Sequence, residues 1–179
     1  IFRSSRALIS DQTKKQNDAH TSKDLIKKLI KEDALVVAHV GGRFADISYA
    51  HDAKLEPSVE IHSAWGTFDW ILKDAFKLNY KIGIVAGSDG HKGRPGASFP
   101  GDSVFGSYGG LTCHLLEKLD RDNLFKEFRA RHHYATTGAR IYLDVQGCFD
   151  KQTALKVTSD KKLNITSCFM GDEVVTSSG

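Results

Sequence analysis

The chain has 179 residues, a formal charge of +3, and a composition 40% hydrophobic and 26% charged. That excludes disordered and collagen-like classes and suits one ordinary core. The basic excess is too small to argue for nucleic acid, and apolar runs such as Ile82–Ala86 fall far short of the roughly 20 residues a membrane helix needs. Cys113, Cys148 and Cys168 are odd in number and widely spread. They predict free thiols, with no disulfide or zinc framework, and favour a reducing, cytoplasmic setting. The opening Ile1-Phe2-Arg3-Ser4-Ser5-Arg6 carries no secretory pattern and no initiator Met, which suggests a piece of a longer chain.

Residues 1–22 are polar and read as an arm or linker. Thr21 or Ser22 caps a predicted helix over 23–31, whose Leu25, Ile26, Leu29 and Ile30 share a face. Leu35–His39 is a short apolar run that predicts a buried strand, broken at Gly41-Gly42. A second strand is expected over 58–62, an amphipathic helix over 67–79, and a third strand over 81–86. Residues 92–110, rich in Gly, Pro and Ser, form a long loop of the kind that is usually functional. A strand over 111–115, a helix over 121–131 capped by Asp120, and a hinge at 134–138 follow. From there the pattern turns all-β, with short strands at 141–145, 154–158 and 163–168. The expected organisation is therefore an arm (1–22), an α/β region (23–138) and a β-rich segment (139–179), and the strand–helix alternation favours a parallel sheet or barrel.

Chemistry concentrates where three of these strands end. Asp89-Gly90-His91 directly follows the third strand, and active sites of parallel α/β folds sit at carboxyl strand ends. If strand geometry persists, residues two apart point the same way, so Asp89 and His91 would aim a carboxylate and an imidazole at one point. Both are ligands for Zn²⁺, Mn²⁺ or Fe²⁺. Glu60 and His62 repeat the spacing, and burying two such groups is costly unless they are paired or metal-bound. His39 ends another strand before two glycines, which allow close approach. Each taken alone has an ordinary explanation: a solvated turn, a polar edge strand, a hydrogen-bonded core histidine. Five such residues on one rim argue for a shared site.

Arg43, Lys92 and Arg94 stand next to these strand ends and could hold an anionic group. His132-His133 follows a basic helix and reads as a helix-end pair, whereas His20, His51 and His114 have no partner by spacing. Trp65 and Trp70 read as core or pocket wall. No phosphate-cradling glycine loop is present, nor a Gly-x-Ser-x-Gly elbow.

At these residues the sequence resembles the PHP superfamily, named for polymerase and histidinol phosphatase domains, and within it an uncharacterised bacterial branch. The matching stretches are 38–43, 59–67 (Val-Glu-Ile-His-Ser-Ala-Trp-Gly-Thr), 87–96 (Gly-Ser-Asp-Gly-His-Lys-Gly-Arg-Pro-Gly), 109–112 and 131–138. The resemblance implies the later half of a distorted barrel of about seven strands and helices. It also implies a divalent metal cofactor (Zn, Mn or Fe), two or three ions in an intact site, that hydrolyses phosphoesters. His39, Asp89 and His91 would be metal ligands, with Glu60 and His62 facing the same cleft. Asp89, His91, Arg43 and Arg94 would form the catalytic set.

The family's amino-terminal His-x-His is missing here, since only His20 precedes His39. A full barrel also needs roughly 200–250 residues. The expected partners are therefore a small anionic substrate, a phosphoester, and the missing amino-terminal half of the barrel, with no membrane and no nucleic acid. The rival expectation is a non-catalytic or degenerate binding module that keeps half of the metal site.

Overall fold

The computed structural model describes residues 19–93, 107–146, 164–169 and 174–178. The chain divides at Gly138/Ala139 into two compact units.

In the first unit, helix α1 (Ser22–Leu29) starts at Thr21, whose side chain accepts from Asp24 N–H. Such a cap is worth about 1 kcal/mol. Its apolar stripe buries Leu29 against Ala34 and Leu55. Strand β1 (Val37–Ala38) pairs in parallel with β2 (Ser58–Ser63), and β2 pairs in parallel with β4 (Gly83–Ala86). A tight turn returns the end of β2 as β3 (Gly66–Thr67), antiparallel, with His62 opposite Thr67. Helix α2 (Asp69–Lys77) is the crossover from this hairpin to β4. Its Ile71 and Ala75 pack on Val59, Val40 and Ile47.

Two further strands, β5 (Leu111–His114) and β6 (His133–Thr136), pair with each other, antiparallel, and among the described residues with no other strand. Between them runs α3 (Arg121–Ala130), capped by Asp120, which accepts from Asn123 N–H. Phe125 and Phe128 of α3 pack on Leu35, Val37 and Val85. The four-stranded sheet is therefore covered by α2 on the Val59 face and by α3 on the other. Thr112 links β5 to β4 through its side chain: Oγ1 accepts from Ala86 N–H at 3.0 Å and donates to Ala86 O at 2.8 Å.

The second unit contains an antiparallel meander, β7 (Ile141–Gln146), β8 (Asn164–Phe169) and β9 (Val174–Ser178), in the order β7-β8-β9.

These features overturn the expected half-barrel. The fold is a small mixed α/β arrangement whose described strands fall into three separate sheets, and none of them closes. A barrel needs strands paired on both edges, each followed by a helix. Among the described residues β1 and β4 each pair only with β2, no helix joins β1 to β2, and β5, the strand after β4, pairs antiparallel with β6. Residues 134–138 are also not a simple hinge, because most of them belong to β6. The strand expected at 154–158 lies outside the described residues, as does most of the loop 92–110. Among the described residues no helix is long and apolar enough to cross a membrane.

Candidate metal centre

Parallel register puts Ser58 beside Gly83, and Glu60 beside Val85, on the sheet face that α3 covers. Just past the end of β1, His39 reaches Glu60 there. The His39 Nδ1–Glu60 Oε2 distance is 2.6 Å, and the same oxygen accepts from Val40 N–H at 3.1 Å. With Glu60 Oε2 as the acceptor, His39 Nδ1–H is the donor. The other ring nitrogen, Nε2, lies 3.6 Å from Asp89 Oδ2. The other Asp89 oxygen, Oδ1, is 2.9 Å from His91 Nε2. Asp89 is mostly buried, while both imidazoles are more than half exposed.

The backbone reaches this convergence by a route other than the expected one. Strand geometry stops at Ala86. Asp89 and His91 both adopt left-handed conformations, with φ of 47° and 51°. Asp and His are among the residue types enriched there, and such strained positions gather at functional sites. The glycine pair after β1 is also accounted for. A Cβ at Gly41 would stand 2.5 Å from His39 Nε2, and one at Gly42 would stand 3.1 Å from Trp65 Cε3.

The five residues expected on one rim thus separate into roles. His39, Asp89 and His91 come together. Glu60 sits behind His39 and holds its ring through Nδ1. His62 does not join them: Nδ1 bonds Thr67 Oγ1 at 2.8 Å, and Nε2 is buried without a partner. Burial pushes its imidazole pKa down, against the pull of the Glu60 charge. Arg43 is exposed on the turn after His39, and Arg94 lies outside the described residues. A cavity of about 270 Å³ opens beside the site, lined by Val37, His39, Glu60, Val85, Thr112 and Phe128.

The donors suit a divalent cation. Asp89 Oδ2 is buried with no hydrogen-bond partner and lies 3.6 Å from His39 Nε2, so a carboxylate oxygen and an imidazole nitrogen face each other at the open end of the strands. Carboxylate and imidazole are ligands for Zn²⁺, Mn²⁺ and Fe²⁺. Among the described residues, however, no group of three or more His, Cys, Asp or Glu forms a metal cluster. His39 and His91 address different oxygens of Asp89.

A second histidine cluster sits on the same sheet face, two residues back along β2. Ser58 Oγ and His133 Nε2 are 2.7 Å apart. His133 packs against Phe128 and against His114, its partner across β5–β6. Gly83 is needed here, because a Cβ would stand 2.9 Å from both His133 Nε2 and Ser58 Oγ. Burial, then the neighbouring His114, Arg131 and His132, push the His133 pKa down to about 4. Nothing in the sequence joins Ser58 to a histidine 75 residues later, and only the fold reveals this pair.

Comparison with known proteins adds one relative. The chain is 31% identical over 145 residues to an uncharacterized protein of Chlamydia pneumoniae. The match covers 70% of this chain and spans 20% of the relative's length. No family model matches the chain, and no solved structure matches it.

Proposed function

We propose that the chain is part of a metal-dependent hydrolase acting on small phosphoesters, with His39, Asp89 and His91 supplying a portion of the metal site. The supporting observation is the meeting of His39 Nε2 with the buried, unpartnered Asp89 Oδ2. The PHP-like motifs are a second support. Remaining ligands would come from elsewhere in a longer protein, of which the Chlamydia relative offers an example of scale.

A bound divalent cation would supply Lewis acidity and a more acidic water. The chain's own part is to position. Glu60 holds the His39 ring through Nδ1, which leaves Nε2 free to ligate. Such carboxylate–histidine pairing is the usual outer support of a metal site. Asp89 offers one oxygen toward each imidazole. Arg43, on the adjacent turn, is placed to attract an anionic substrate.

Calorimetric titration with Mn²⁺ and Zn²⁺ tests the reading. The wild-type chain should bind, and His91→Ala should bind more weakly. Equal affinity in the two would defeat the assignment. A panel of phosphoesters then addresses the second reading, a binding module without catalysis, which the lack of a three-donor group among the described residues favours. Metal binding with no turnover by the longer protein would establish that module instead.

A further inference from the structure

We infer that Thr112 is a positioning residue for this site: its hydroxyl closes the end of β4 and so sets the turn that carries Asp89 and His91. The inference rests on the proposed metal site and deepens it. In a strand, the N–H and C=O of one residue point to the same side and pair with one partner residue. Among the described residues no strand pairs with β4 on the edge away from β2. At Ala86, Thr112 Oγ1 takes both places on that edge. It accepts from Ala86 N–H at 3.0 Å and donates to Ala86 O at 2.8 Å. A side chain 26 positions away thus stands in for a neighbouring strand.

The residues that follow are pinned as well. Gly87 N–H donates to His62 O on β2 at 3.1 Å, while Gly87 O accepts from Gly110 N–H at 2.8 Å. Its N–H and C=O therefore serve different neighbours, and the strand turns here. Ser88 O accepts from Ala64 N–H at 3.1 Å. Just beyond stand Asp89 and His91, with φ of 47° and 51°. Left-handed conformations of this kind persist where the surrounding structure over-determines them. Of the bonds that hold Ala86–Ser88 in place here, those of Thr112 come from a side chain, so a substitution can remove them without touching the backbone. Thr112 also lines the cavity that His39 and Glu60 line, yet both hydrogen bonds of its hydroxyl go to Ala86. Binding groups must be held within about 0.5 Å of their productive geometry. Release of Ala86 would let the Asp89 turn drift from His39 by more than that.

Calorimetric titration of the full chain with Zn²⁺ tests this in wild type, Thr112→Val and Thr112→Ser, each kept well below its melting temperature. Valine preserves the shape and removes the hydroxyl, whereas serine preserves the hydroxyl. Thr112→Val should bind about tenfold more weakly, at the lower end of what loss of an outer partner costs. Thr112→Ser should bind nearly as wild type does. Amide hydrogen exchange in wild type adds a measurement that does not require the valine variant to fold. Coupling is reciprocal, so Zn²⁺ should slow exchange of the Ala86 N–H. Equal Zn²⁺ affinity in Thr112→Val and wild type, even with a lower melting temperature, overturns the inference and leaves the metal-site reading standing. Ala86 exchange indifferent to Zn²⁺ does the same. A loss in Thr112→Ser as large as in Thr112→Val overturns the role of the hydroxyl. No Zn²⁺ binding by wild type removes both readings.

Discussion

Ser58 and Glu60 are neighbours on one face of β2, and each holds a histidine, yet the two histidines have opposite characters. Glu60 meets His39 at the open end of the strands, where the ring is more than half exposed and a second carboxylate, Asp89, stands on its far side. Ser58 meets His133 in the interior, where the ring packs on Phe128 and His114. At the open end the ring lies between two carboxylates, Glu60 at Nδ1 and Asp89 near Nε2, and keeps an exposed face. A hydroxyl partner, burial, and the neighbouring His114, Arg131 and His132 instead favour a neutral imidazole that acts as a core side chain. The lesson is that the group behind the histidine, more than its position on a strand, decides between ligand and structure.

Asp89→Ala should break the comparison most sharply. It removes the oxygens that both imidazoles face, and titration should show loss of measurable Mn²⁺ or Zn²⁺ binding with no fall in melting temperature. Retained binding would mean that the open cluster is not a metal site.

The interior cluster should answer to pH. His133 has a folded pKa of about 4 against roughly 6.5 unfolded. Its neutral form is thus favoured by folding. That stability is complete above about pH 6.5 and is lost as pH falls toward 4, because the unfolded chain takes up the proton first. The total is roughly 3 kcal/mol. Denaturant unfolding of wild type and His133→Phe across pH 7.5–4 should show wild type losing that much relative to the variant. A difference independent of pH would show that His133 is not held neutral.

Glu60→Gln is intermediate. The amide can still pair with His39 but no longer carries the carboxylate's charge. Metal affinity should fall about 10–100-fold, the usual cost of losing an outer partner. Loss as complete as that of Asp89→Ala would make Glu60 a direct ligand. The smallest effect belongs to Ser58→Ala, which leaves His133 Nε2 unpaired in the interior. It should cost about 1–2 kcal/mol in denaturant unfolding and leave metal binding unchanged.

Much of the local structure was legible. Thr21 and Asp120 cap helices as short polar residues before amphipathic runs do, and Ser58–Ser63 and Gly83–Ala86 follow their apolar patterns. The nearness of Asp89 to both His39 and His91 agrees with the expectation that donors gather past the ends of β1 and β4. The reason expected for it was wrong: left-handed turns at Asp89 and His91, in place of continued strand geometry, aim the two side chains. The Thr67 partner of His62 was not legible, because pairing across the β2–β3 hairpin is invisible to spacing along one strand. The half-barrel failed for a related reason. Alternating strands and helices suggest parallel crossovers, but β5 and β6 satisfy their edges on each other.

The order of residues along the chain therefore settled which segments curl into helices, which extend, and which carry donors at their ends, because caps and apolar periods act over a few residues. Which histidine lies beside a carboxylate and which beside a hydroxyl was decided only by sheet register and by the packing of α3, since those contacts join residues 21 and 75 positions apart. Local propensity cannot choose among distant partners; burial of Phe128, Val85 and Leu35 in one layer does.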